Sequence, residues 1–405
     1  VRVTPFVADT DFTLWLGDVR DVLPTFETGS VDCVVTSPPY WGLRDYGVAG
    51  QLGLEHSPEK YVENIVAAFW QVRRVLSDHG TLWLNLGDSY ATNGSTKWGG
   101  NRNETREAGM HGSFKVTPSS LRERARPRIP NSRPAELKPK DLIGIPWRVA
   151  FALQADGWWL RSDVIWAKPN PMPESVTDRP TNAHEYVFLL SKSPRYWFDQ
   201  EAVREQASWD RWSSKQTTPK HSEHGNSRYA SFGREWTDEE LERYRAAGRN
   251  VRDVWEIATQ PYAEAHFATF PEELVRRCIL AGCPELVCRV CGKPRERLVD
   301  VEYENPGNRL NNGQRAGGTL CNSGVRVMSS GRRLEKSTST IGWSDCGHGD
   351  YRPGRVLDPF LGSGTTALVA RQQGRHCVGV ELSEPYGQLA ARRLQQLSLL
   401  AEASP

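Results

Sequence analysis

Val356-Leu357-Asp358-Pro359-Phe360-Leu361-Gly362-Ser363-Gly364-Thr365-Thr366 runs into an Ala/Leu/Val-rich stretch and then into Cys377-Val378-Gly379-Val380-Glu381. The order is strand, glycine turn, helix, strand, with an acid closing the second strand, which is the plan of one mononucleotide-binding half of a doubly wound α/β sheet. The turn is not a phosphate loop, because no Lys follows its last glycine at the required place. It does satisfy the looser dinucleotide pattern, with Ala367 where the third glycine would stand, so that pattern alone admits a dinucleotide. The Asp358-Pro359-Phe360 lead-in tips the balance, since a carboxylate at the strand end would repel a pyrophosphate. A nucleoside without phosphates fits better, and Glu381 is placed to accept from both ribose hydroxyls. S-adenosylmethionine is an adenosine of that kind.

Near the other end, Val31 to Val35, broken by Asp32, reads as a buried strand,. Thr36-Ser37-Pro38-Pro39-Tyr40-Trp41 follows it. The two prolines stop the strand, because neither donates a ladder hydrogen bond and both have φ fixed. What remains is a stiff turn with the Ser37 hydroxyl and backbone carbonyls held in place and a large ring behind them. A flat base could stack on Tyr40 while its exocyclic amine meets the Ser37 and Pro38 oxygens. Pro-Pro-aromatic also occurs in ordinary loops, so the tetrapeptide by itself leaves both readings open.

As a pair, TSPPYW at 36–41 and DPFLGSGTT at 358–366 resemble the site-specific DNA methyltransferases that modify exocyclic amines, in the permuted class whose catalytic motif precedes the cofactor motif. The resemblance extends, with gaps, over most of the chain. It implies a circularly permuted, doubly wound Rossmann-like methyltransferase sheet with inserted recognition and zinc-knuckle segments. S-adenosylmethionine is the implied cofactor and double-stranded DNA the implied partner; a cognate restriction endonuclease is a further partner such enzymes can have. Ser37, Pro38, Pro39 and Tyr40 match the catalytic motif. Asp358, Pro359, Phe360, Gly362, Gly364, Thr365, Thr366 and Glu381 match the cofactor side, joined by Asp18 and Phe267. In the family, Ser before the two prolines is commoner in enzymes that methylate cytosine N4, and Asp or Asn in those that methylate adenine N6. Cytosine N4 is therefore favoured, with adenine N6 as the alternative. An RNA or protein amide methyltransferase would share the Pro-Pro-Tyr logic, and a catalytically dead DNA-binding module the charge pattern. The large variable segments argue against the first and the intact cofactor turn against the second.

The remaining elements follow from periodicity. Leu14-Trp15-Leu16-Gly17-Asp18 reads as a strand ending in an acid, and under the permuted order it is the third strand of the half begun at Val356. Asp18 could accept from the adenine amino group or cap a helix over 19–26, and one residue could do both. The Gly42 to Gly47 loop is suited to closing over a bound base. A helix over 58–76 has Ser57 as cap and Tyr61, Ile65, Phe69, Val72 and Leu76 on one face; Gly80 is its stop, and a strand over 81–86 follows. Asp88 either caps or lines the cleft. A helix over 141–155 has Asp141 as its expected cap, and strands over 158–166 and 185–190 complete the sheet. Trp166-Ala167-Lys168-Pro169-Asn170-Pro171 resembles the family's segment near the flipped base. A helix over 271–281 follows a segment resembling the wall of the methionine end of the cofactor, and a last helix covers about 385–397.

Residues 93–140 hold eleven Lys or Arg against four Glu, a surplus of seven positive charges in a chain whose net charge is +2. So polar a stretch cannot pack a core; its charge suits DNA phosphates, and the plain alternative is a solvated loop. Residues 200–260 occupy the family's target-recognition position and 261–283 form the cofactor-wall segment. The insertion at 284–354 carries Cys288-Arg289-Val290-Cys291-Gly292, the spacing of a zinc knuckle, with Cys346-Gly347-His348 as the partner pair and Cys321 as a spare,. Four protein ligands would make that zinc structural. The sequence thus divides into 1–92 and 141–199 (catalytic half), the segments just named, and 355–405 (cofactor-binding half).

With 405 residues, 38% hydrophobic, the chain can bury a large core,. No run approaches a membrane span or a signal peptide, so a soluble, cytoplasmic protein is expected. Its eight cysteines then read as buried thiols or metal ligands rather than disulfides.

Overall fold

The computed structural model describes residues 4–43, 48, 50–91, 138–205, 248–260, 270–304, 318–320, 326–328 and 335–402. The chain divides into two compact units. The first comprises residues 1–198, 253–285 and 353–405; the second comprises 199–252 and 286–352.

The first unit is built on a nine-stranded sheet. Its strands are β1 (Val7–Ala8), β2 (Phe12–Leu16), β3 (Val31–Thr36), β4 (Leu76–Leu86), β5 (Trp159–Ala167), β6 (His184–Ser191), β7 (Val254–Glu256), β14 (Arg355–Asp358) and β15 (His376–Glu381). Across the sheet they run β1-β2-β15-β14-β3-β4-β6-β5-β7. The central pairings β2–β15, β15–β14, β14–β3 and β3–β4 are parallel, whereas β6 is antiparallel to both β4 and β5. The C-terminal strands therefore fill the middle of a sheet begun at the N-terminus, as the permuted order requires. The order reverses between β14 and β3, and a crevice outside the carboxyl ends of strands at such a reversal is where open α/β sheets bind ligands.

Helices cover both faces. On one side lie α1 (Val19–Val22), α2 (Pro58–Val75) and α3 (Ile145–Ala155); Tyr61, Ile65, Phe69 and Val72 pack there with Val34, Leu82, Leu84 and Val380. On the other lie α4 (Glu272–Gly282), α5 (Thr365–Gln372) and α6 (Glu384–Glu402). There Val35 and Trp83 share a recess with Leu274, Val275 and Cys278. At the end of α4, a Cβ on Gly282 would lie 2.3 Å from Thr81 and Trp83 side-chain atoms, so only glycine lets the helix come so near β4. No helix among the described residues is long and apolar enough to cross a membrane.

Three local expectations change. The helix at Val19 stops at Val22 and tightens into a 3-10 turn over Leu23–Thr25, because Pro24 has no N–H to extend the ladder. The helix α2 ends at Val75; Leu76 is already extended and Gly80 lies inside β4. Asp141 does not cap α3, which begins at Ile145 after Gly144 in the left-handed region. Asp88 caps it from across the fold: its carboxylate accepts from Gly144 N at 3.0 Å and Ile145 N at 3.1 Å. Burial raises the Asp88 carboxyl above its ordinary range, and the backbone amides around it pull the other way. Asp88→Ala strips that cap, and urea denaturation is expected to register a loss of about 1–2 kcal/mol.

The second unit contains β8 (Leu286–Cys288), which pairs with β13 (Tyr351–Pro353), and the antiparallel pairs β9 (Arg297–Glu304) with β12 (Glu335–Trp343) and β10 (Gly318–Leu320) with β11 (Arg326–Met328). At the base of β9, the Arg297 guanidinium grips the buried Asp199 carboxylate, with Nη2 to Oδ2 at 2.8 Å.

Candidate active site

The glycine turn follows β14, and its own protein consumes its amides. Gly362 N donates to Glu381 Oε2 at 2.7 Å, Gly364 N to the Leu361 carbonyl at 3.0 Å, and Phe360 N to Asp358 Oδ1 at 3.0 Å. A phosphate cradle needs such amides pointing outward; these do not. The Glu381 carboxylate sits at the end of β15, and its other oxygen accepts from Ser383 N at 2.8 Å. Each oxygen keeps one lone pair for a further donor, and burial pushes the carboxyl up to about 7. An acceptor pair so short of solvation suits the two hydroxyls of a ribose. Ser363 Oγ in the same turn is buried without a hydrogen-bond partner among the described residues. This donor and acceptor set fits an adenosine lacking phosphates.

Asp358 lies beneath the turn and is fully buried. Its Oδ1 accepts from Thr36 Oγ1 at 2.7 Å and its Oδ2 from Thr366 Oγ1 at 2.6 Å. Burial nevertheless pushes the carboxyl up to about 6. The bond to Thr36 joins the ends of adjacent parallel strands β3 and β14, which stand 322 residues apart. It fixes the Ser37 turn beside the glycine turn. Of the other residues expected on the cofactor side, Pro359, Thr365 and Thr366 are buried. Thr365 accepts from Arg393 at 3.0 Å, and Phe360 stacks on Phe69. Asp18 caps α1 through Arg20 N and is also held by the Arg20 guanidinium.

The turn after β3 is anchored at three points. Tyr61 OH donates to the Pro39 carbonyl at 2.9 Å, Trp41 Nε1 to the Glu55 carbonyl at 2.9 Å, and Gly42 N to the Gly53 carbonyl at 2.7 Å. Pro38 is buried, whereas Ser37, Pro39 and Tyr40 are half-buried. The Tyr40 ring lies against Gly87, where a Cβ would come within 2.6 Å of it. Behind the turn lies a polar cluster that sequence reasoning missed. Tyr40 OH is 2.7 Å from Glu185 Oε2 and 3.0 Å from Asn85 Oδ1; Ser37 Oγ is 3.2 Å from Tyr40 OH; Lys168 Nζ pairs with Glu185 Oε1. A signal existed, since Asn85 and Glu185 are polar residues inside otherwise apolar strands, Leu82-Trp83-Leu84-Asn85-Leu86 and Glu185-Tyr186-Val187-Phe188.

In the second unit, Cys288, Cys291, Cys346 and His348 come together with their ligand atoms all within 4.8 Å of one another. Several expected positions lie outside the described residues: Phe267, Cys321, the loop from Arg44 to Gly47, most of the basic stretch 93–140, and 206–247 of the recognition segment.

A DNA methylase family model of the N6/N4 methyltransferase type matches residues 31–287 and 352–392, spanning both turns. The chain belongs to this DNA methylase family. Among the methylase's relatives, the type II methyltransferase M.Cfr9I of Citrobacter freundii is 39% identical over 95% of this chain and 87% of its own length. M.SmaI of Serratia marcescens is 38% identical over 94% of this chain and 89% of its own length. The fold resembles that of a solved PvuII DNA methyltransferase (cytosine-N4-specific), with a TM-score of 0.51 at 16% identity, covering 97% of this chain and 89% of that one. The methylase is thus a DNA methyltransferase of the N4/N6 class, and S-adenosylmethionine is its methyl donor.

Proposed function

We propose that this methylase transfers a methyl group to the exocyclic amine of a base flipped out of duplex DNA, and that the base is cytosine, modified at N4. The observation that carries the reading is the Ser37 turn, held by Asp358 beside the cofactor turn at the reversal of the sheet. Bound S-adenosylmethionine supplies an already activated sulfonium methyl. The protein then has to hold an amine nitrogen in line with it, and the methylated nitrogen afterwards gives up one of its hydrogens as a proton to solvent. An exocyclic amine is a poor nucleophile because its lone pair is delocalised into the ring. Hydrogen bonds from its two hydrogens to Ser37 Oγ and the Pro38 carbonyl localise that lone pair and stabilise the positive charge that grows on nitrogen. No described residue donates to the Pro38 carbonyl, which leaves it available. Tyr40 supplies the stacking surface, and extrusion is required because the target atom is inside the duplex. The serine before the prolines resembles the cytosine-N4 members of the family.

The test is to incubate the protein with labelled S-adenosylmethionine and unmethylated genomic DNA, digest to nucleosides and identify the product by mass. N4-methylcytosine is the expected product. N6-methyladenine would keep the mechanism and overturn the base; label in RNA or protein alone would overturn the substrate.

The cofactor side makes a separate prediction. Ribose hydroxyls donating to Glu381 favour its ionised form, so its carboxyl, at about 7 without them, falls on binding and releases a proton. Affinity therefore rises with pH and levels off above about 7, with a loss approaching tenfold per unit below it. Calorimetric titration across that range checks it, with Glu381→Gln as the control that should flatten the dependence. A wild-type affinity that does not change with pH would rule Glu381 out.

A further inference from the structure

We infer that Cys288, Cys291, Cys346 and His348 form a closed structural zinc site in the second unit. In a tetrahedral site with Zn–S near 2.3 Å and Zn–N near 2.0 Å, neighbouring ligand atoms stand roughly 3.5–3.8 Å apart. Cys288 Sγ and His348 Nδ1 are 3.5 Å apart, and all four ligand atoms lie within 4.8 Å of one another, so one ion can reach them all. All three cysteines are free thiols, so a disulfide does not explain their meeting. Both ligand loops are already shaped. In the first, Gly292 N donates to the Cys288 carbonyl at 3.0 Å, Cys288 N to the Lys293 carbonyl at 2.9 Å, and Cys291 N points at Cys288 Sγ at 3.5 Å. That last amide offsets thiolate charge. Gly292 takes φ +69° and Gly347 φ +80°, turns for which a Cβ would be strained. The pairing of β8 with β13 brings the two loops into register. Sulfur-rich tetrahedral sites select zinc over the hard cations, and four protein ligands leave no position for substrate. The metal cross-links the root of the intervening hairpin.

The experiment is elemental analysis of reduced protein purified without chelators, followed by cobalt exchange. About one zinc per chain is expected, and cobalt should give the intense visible bands of a tetrahedral thiolate site. Cys291→Ser, at an exposed position, and His348→Ala should each lose the metal. If either variant does not fold, the cobalt spectrum of the wild-type protein decides. Wild-type protein that takes up neither metal overturns the assignment.

A second, independent inference deepens the proposed function and rests on it. The hydrogen-bond directions around Tyr40 assign Glu185 and Lys168 as positioning residues that fix Ser37 Oγ as an acceptor. Tyr40 has one hydroxyl proton, and Glu185 Oε2 at 2.7 Å is the stronger acceptor for it,. Asn85 cannot reverse this, because its Nδ2 already donates to Glu185 Oε2 and to the Tyr186 carbonyl, both at 3.1 Å. With its proton committed, the Tyr40 oxygen can only accept from Ser37,. Ser37 then turns its lone pairs outward, ready for an amino hydrogen. Lys168, which also lies 4.5 Å from the Trp166 ring centroid, pairs with Glu185 and holds its carboxylate in place, and both side chains are largely buried. Burial and the nearby Glu185 charge hold the Tyr40 hydroxyl protonated.

Glu185→Gln can donate to Tyr40 and so reverse the chain. It should lower kcat about 10- to 100-fold with KM for DNA and cofactor little changed. In a Ser37→Ala background the same substitution should have almost no further effect, because both act on one hydrogen bond. Additive losses would overturn the relay and leave the reading of Ser37 standing. Full activity of Ser37→Ala alone would instead overturn the reading of Ser37.

Discussion

Ser37→Ala is expected to lower the single-turnover methylation rate about 10²- to 10³-fold while leaving the cofactor dissociation constant within about twofold of the wild type. The magnitude is that of losing one preorganised polar contact to charge that develops only in the transition state. Little else should change, because Ser37 is half-buried and its side chain's one hydrogen-bond partner among the described residues is Tyr40 OH. Rapid-quench kinetics with labelled cofactor and fluorescence titration of binding separate the two quantities. A variant whose rate and affinity fall together would point to a distorted cofactor pocket, and an unchanged rate would remove Ser37 from the chemistry.

Asp358→Ala should be the most destabilising single change in the first unit, by about 3–5 kcal/mol in chemical denaturation. It strands three donors in a fully buried place: the Thr36 and Thr366 hydroxyls and the Phe360 amide. Thr36→Val removes one donor rather than the shared acceptor and should cost only about 1 kcal/mol. The pH dependence has a definite sign. Asp358 titrates at about 6 in the native protein against an ordinary 3.8, so between those values the native state holds more protons than the unfolded chain. Stability from this group therefore falls as pH rises through that window and is flat above it. Asp358→Asn should abolish that slope.

The parts of this protein written contiguously were legible in its sequence. The strand, glycine turn, helix and strand from Val356 to Glu381 follow from local rules, and the permuted order came from the resemblance of the 36–41 and 358–366 motifs to the permuted methyltransferases, into which the Leu14 to Asp18 strand then fitted. Ser57 caps α2 as its position suggests, with Lys60 N at 3.2 Å. What was not legible depends on contacts between distant residues. Asp141 satisfied the local rule for a helix cap, yet Asp88 takes that role across a gap of 56 residues. Asn85 on β4, Glu185 on β6 and Lys168 just past the end of β5 converge around Tyr40 only once the antiparallel β4–β6–β5 arrangement is formed. Cys346 and His348 were expected beside Cys288 and Cys291 from the knuckle spacing, a signal that the long gap between the pairs weakens, and the four residues do lie together.

The placing of β14 and β15 in the centre of the sheet bears on how the protein is made. β2 and β3 lie close in sequence, yet two strands separate them in the sheet, and those two follow the sheet's other seven strands in the chain. Until then β2 and β3 each present a bare parallel edge with nothing to pair against, and such edges recruit other chains. The sheet cannot close by growing outward during synthesis. It must wait for a late insertion at its middle, a slow event of high contact order. A newly made chain would therefore be unable to mark DNA until β14 and β15 had emerged, and shielding by a chaperone would matter most in that interval.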